Sequence, residues 1–100
     1  MFNDNFIDVG SKFAEWDQLK EKLALLFRIE DESRLIMMKH SILLLTQILN
    51  EMEEARPINF SDRLDFINKN IHNYTSFRQL EELFKETKKK YAVKRIMDNK

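Results

Sequence analysis

A chain of 100 residues with no cysteine and zero net charge has room for one domain with one core, and it excludes a disulfide framework and any thiolate nucleophile or metal ligand. One glycine and one proline exclude glycine-rich phosphate loops and the many tight turns of a strand-rich fold. Residues 1–100 are therefore predicted to form a single all-α domain, a small up-and-down bundle of about four helices with a short N-terminal arm.

The arm comprises Phe2, Phe6, Ile7 and Val9, packed over one end of the bundle or forming an extra helical turn. It lacks the basic stretch and long apolar run of a signal peptide, so a soluble, cytoplasmic protein is expected. The sequons at Asn59 and Asn73 then carry no glycan. The first helix is predicted over 11–28, starting after the lone glycine. Phe13, Trp16, Leu19, Leu23 and Leu26 recur at steps of three and four, and Leu25 and Phe27 widen the stripe. Trp16 falls on that stripe and reads as core, with an interface anchor as the alternative.

The second helix is predicted over 32–56. Glu30, Asp31 and Glu32 suit a helix start, Asp31 or Ser33 supplies the cap, and Pro57 forbids continuation. Leu35, Met38, Ile42, Leu45, Leu49 and Met52 alternate at three and four, and Ile36, Met37, Leu43, Leu44 and Ile48 are apolar as well. Such a helix must be covered on most sides. Lys39, His40, Thr46 and Gln47 interrupt it too often for a membrane span. Either the rest of the chain covers it or a second copy or partner helix completes the job. Methionine adapts to partner surfaces, so Met37, Met38, Ile42, Leu45, Leu49 and Met52 are the candidate interaction residues.

A short third helix is predicted over 60–72, capped by Asn59 or Ser61, with Leu64, Ile67 and Ile71 facing inward. His72 to Thr75 read as a turn. Ser76 and Gln79 match a capping box for a fourth helix over 76–97, which carries Phe77, Leu80, Leu83 and Phe84. Lys85 to Lys90 contain no apolar residue, so this helix either runs through with an exposed middle or breaks near 85–87.

Charge is uneven along the chain. Residues 1–58 hold seven Lys/Arg against eleven Asp/Glu, and 59–100 hold ten against six, an asymmetry that suits an anion-facing tail or head-to-tail pairing of subunits. Lys88, Lys89, Lys90, Tyr91, Lys94 and Arg95 combine cations with an aromatic, as phosphate contact and base stacking require. In layout Leu64 to Ile96 resembles the helix-turn-helix of bacterial regulators, with Glu81, Lys85 and Glu86 where that motif carries a small residue, a glycine and an apolar residue. A solvated helix end is the competing reading, since the dipole favours cations there regardless.

Catalytic and metal signals are weak. His40 and His72 stand apart without an obvious carboxylate partner, and Glu51, Glu53 and Glu54 read as a solvated acidic face. No enzyme, cofactor, metal or small-molecule substrate is expected, and no membrane association. The expected function is a helical protein–protein interaction module, a small adaptor, inhibitor or regulator, self-associating as a homodimer through helix 32–56. The alternative is DNA or RNA binding through 85–100.

Overall fold

A computed structural model describes residues 8–98. Four helices follow one another, α1 Val9–Arg28, α2 Arg34–Glu51, α3 Phe60–Lys69 and α4 Tyr74–Asp98, with a 3-10 turn at Glu53–Ala55 and no strand among the described residues. The all-α reading therefore holds. The part of the arm before Asp8 (Phe2, Phe6 and Ile7) lies outside the described residues.

Helix α1 begins two residues earlier than the glycine suggested, because Asp8 is the cap. Its carboxylate accepts from the Ser11 amide at 3.3 Å and from the Ser11 hydroxyl at 2.8 Å. Val9, assigned to the arm, is the buried first residue of the helix. The C-terminus closes as a Schellman motif: Glu30 takes φ 56°, its amide donates to the Phe27 carbonyl and the Asp31 amide to that of Leu26. Two residues of the acidic cluster thus finish α1, and its last member, Glu32, does not open α2 directly. Asp31 instead accepts from the Ser33 amide and hydroxyl at 2.8 and 2.6 Å, and α2 starts at Arg34.

Helix α2 stops at Glu51, short of the predicted Arg56. Pro57 holds Arg56 extended (φ −67°, ψ 126°), and the chain leaves the helix at Met52 through the 3-10 turn, which buries Ala55. Helix α3 starts after Asn59 in a left-handed conformation (φ 58°) that makes no side-chain cap bond. It ends at Lys69, three residues early, where the Asn70 side chain donates to the Phe66 carbonyl at 2.9 Å. The capping box does not form: Ser76 lies inside α4 and its hydroxyl donates to the Asn70 carbonyl.

Helix α4 runs unbroken through 85–87. Thr87 supplies the reason, because it is fully buried and carries the apolar stripe from Leu80, Leu83 and Phe84 to Tyr91. The arrangement this continuity excludes is the helix-turn-helix, which needs a turn ahead of its recognition helix.

Packing follows the aromatic residues. Helices α1 and α4 lie antiparallel along a seam of rings: Phe13 meets Tyr91 at 5.4 Å, Trp16 stacks on Phe84 at 4.0 Å and Phe27 meets Phe77 at 5.5 Å between centroids. Each such pair adds about 0.5–1.5 kcal/mol beyond its buried area. Trp16 is core, as its position on the stripe indicated. Helix α2 supplies the centre with Met38, Leu44, Leu45, Ile48 and Leu49, each at most 2% exposed. Helix α3 lies against α4, anchored by Ile67 and by a bidentate pair from Arg63 to Glu86 at 3.0 and 2.7 Å.

Candidate interaction surface

The core uses up most of what the sequence offered for binding on α2. Met38, Leu45 and Leu49 are buried inside the chain's own fold, and Met37, Ile42 and Met52 are half-buried against it. These six therefore do not form an open surface. The apolar residues that α2 leaves to solvent are Ile36, 73% exposed, and Leu43, 55% exposed. Seven residues apart, they share one stripe of the helix.

Helix α1 adds a second stripe. Leu25 and Ile29, four residues apart, are both exposed, Ile29 at 58%. The α4 side of α1 is marked by Phe13, Trp16 and Phe27 through their ring contacts, and the helical phase of Leu25 and Ile29 turns them away from it. The α1–α2 hairpin thus presents an outer apolar face, and along α2 His40 lies between Ile36 and Leu43. His40, which lacked a partner in the sequence, bonds Glu15 through Nε2 at 2.9 Å and ties α2 to α1.

The hairpin tip is acidic. Glu30 and Glu32 are exposed and form no ion pair or side-chain hydrogen bond among the described residues. The Ser33 hydroxyl, and then its amide, hold the Asp31 carboxyl below its usual acidity range. Of the flanking cations, Arg34 turns inward, lying over the Phe27 ring and donating to the His72 carbonyl, while Arg28 is exposed.

The basic end of α4 is divided around its helix. Lys90 donates to the Arg56 carbonyl at 3.0 Å and Lys94 pairs with Glu54 at 3.4 Å, both on the side of the 3-10 turn. Tyr91 is half-buried, one face against Phe13, with Arg95 over its ring at 5.8 Å. Lys88 and Lys89 remain exposed, without an ion pair or hydrogen bond among the described residues. Beside Lys89 on the outer stripe stand Val93 and Ile96, 53% and 63% exposed.

The carboxylates in the α1–α4 groove are each matched by a neighbour: Asp17 with Lys20 at 3.8 Å, Glu81 with Arg78 at 2.8 Å and Glu82 with Lys85 at 3.6 Å. Glu54, from the acidic run, is engaged by Lys94, and its carboxyl is held low first by its own backbone amide. Among the described residues no group of three His, Asp or Glu could hold a metal ion, and no helix is long and apolar enough to cross a membrane.

Leu25, expected to widen the α1 stripe with Phe27, is instead exposed because its helical phase lies opposite Trp16 and Phe27. Ile29, Ile36, Leu43, Val93 and Ile96 were not assigned to a binding surface by sequence pattern. A signal for two of them existed: Ile36 and Leu43 stand seven apart and off the Leu35–Met52 seam. Comparison with curated proteins and with solved structures finds no match. A family model described as YpoC-like protein matches residues 8–99, so the chain belongs to the YpoC-like protein family.

Proposed function

We propose that this protein is a non-catalytic helical interaction module, a small adaptor or regulator that self-associates, and that its binding surface is the outer face of the α1–α2 hairpin. One observation carries the reading. Four large aliphatic side chains, Leu25, Ile29, Ile36 and Leu43, lie exposed on one hairpin while seventeen apolar residues complete a core without them. Single exposed aliphatics are ordinary, but a group on one face is the mark of a surface that is covered in use. The nucleic-acid reading has less support, because Tyr91 is packed on Phe13 and Lys90 and Lys94 are engaged within the fold.

Light scattering across a concentration series tests the proposal. The wild type associates as concentration rises, and Ile36→Glu/Leu43→Glu stays monomeric with its helical content unchanged. A wild type that remains monomeric up to about millimolar concentration defeats the reading, since association follows mass action.

A further inference from the structure

We infer that the hairpin tip of one copy docks on the basic end of α4 of a second copy, so that the chain associates head to tail. The inference rests on reading the hairpin face as an interaction surface, and it names what that surface meets. Two exposed apolar patches lie at opposite ends of a molecule 46 Å long. At one end Ile29 and Ile36 flank Glu30 and Glu32; at the other, Val93 and Ile96 share a stripe with Lys89 and neighbour Lys88. The ends are opposite because the Arg34–His72 contact joins the α2 start to the turn before α4, whereas Lys94 reaches Glu54 at the far end of α2.

Each patch therefore has an apolar centre and an excess of charge of one sign, and the two excesses are opposite. At the tip Glu30 and Glu32 stand against Arg28; on the α4 end stand Lys88 and Lys89, where Lys89 also acts on Glu86 of its own chain. A patch of one sign does not pair with itself, because like charges across an interface repel. Opposite patches at opposite ends make a heterologous contact, which builds open chains or closes into a ring. Zero net charge points the same way: the acidic complement of the basic end is on this chain. A few aliphatics per patch bury less than a standard interface, so the association is weak and concentration-dependent.

The test uses two variants of the full chain. The first reverses the tip, Glu32→Lys/Ile36→Lys. The second reverses the tail, Lys89→Glu/Ile96→Glu. Sedimentation velocity at about 20 to about 500 µM should show the wild type associating, more weakly as salt screens the charges. Each variant alone should lose at least about tenfold in association. An equimolar mixture should regain it, because the unaltered tail of the first variant meets the unaltered tip of the second. Circular dichroism confirms that both variants remain helical; a variant that unfolds is replaced by its charge change alone, Glu32→Lys or Lys89→Glu, under the same mixing test. A tail variant that associates like the wild type, or a mixture that stays monomeric while the wild type associates, overturns the inference, and the first of these leaves the hairpin surface standing as a contact between two hairpin faces. A monomeric wild type overturns both. Tail-dependent binding to anionic lipid vesicles or to random duplex DNA, with no self-association, assigns the basic end to a different ligand and also overturns the inference.

Discussion

Thr87→Val should make this protein more stable. Thr87 is fully buried on α4, and its hydroxyl finds no hydrogen-bond partner among the described residues. The contrast within the same fold is direct. Ser41 donates to the Met37 carbonyl at 2.8 Å and Thr46 to the Ile42 carbonyl at 2.9 Å, so each satisfies itself one turn back along α2. A buried hydroxyl left unpaired costs about 1–3 kcal/mol. Valine has nearly the same shape and a similar helix propensity, so it removes that cost without a cavity. The expected gain is about 1 kcal/mol or more, read as a urea midpoint raised by ~0.3–1 M and a melting temperature raised by ~4–8 °C. Thr87→Ser keeps the hydroxyl and deletes the methyl, so it should lose about 1 kcal/mol. Equilibrium unfolding in urea decides. If Thr87→Val is destabilised, the hydroxyl is engaged in solution and its orphan status is refuted.

Other outcomes follow from the packing. Leu45→Ala should cost ~2–5 kcal/mol in unfolding, whereas Leu43→Ala, two residues away on the exposed stripe, should change stability by under ~0.5 kcal/mol; similar losses at both would show that Leu43 belongs to the core. Arg63 holds the Glu86 carboxyl below its ordinary value of 4.5 chiefly through its hydrogen bonds. A depressed folded value means that this stability is present above pH 4.5 and is lost as pH falls through the lower folded value. Glu86→Gln should therefore flatten the acid limb of the stability curve, while its cost at neutral pH stays under about 1 kcal/mol because the pair is partly solvated; an unchanged acid limb refutes the linkage. Asp8→Ala removes the α1 cap and should cost ~0.5–2 kcal/mol, measured by thermal unfolding.

How much of this the sequence displayed depends on the element. The fold class was legible because scarce glycine and proline leave little but helix, and the three–four spacing of Phe13, Trp16 and Leu23 located α1. Helix ends were less legible because the residue types that mark them served other ends. Glu30 and Asp31 suit an N-terminus by charge, yet they close α1 in a Schellman motif; Ser76 suits a cap, yet it satisfies Asn70 from inside α4. The gap at 85–90 left a continuous helix and a break equally open because threonine counts as polar in an apolar pattern, although Thr87 is fully buried on the stripe. On α2 the seam is apolar as expected, but sequence alone could not say that α1, the 3-10 turn and α4 would cover it. What was left exposed, Ile36 and Leu43 on α2 with Leu25 and Ile29 beside them, depends on the angle at which the hairpin meets α4. Periodicity along one helix does not contain that angle.

The central claim is that the outer face of the α1–α2 hairpin is a surface made to be covered. Photo-crosslinking from a photoreactive residue placed at Leu43, in the intact chain at a concentration where the wild type associates, tests it most directly. The predicted result is a discrete adduct of twice the chain mass that disappears when Ile36→Glu is added. A chain that folds and associates normally yet gives no adduct from position 43 would contradict it, because the covered surface would then lie elsewhere.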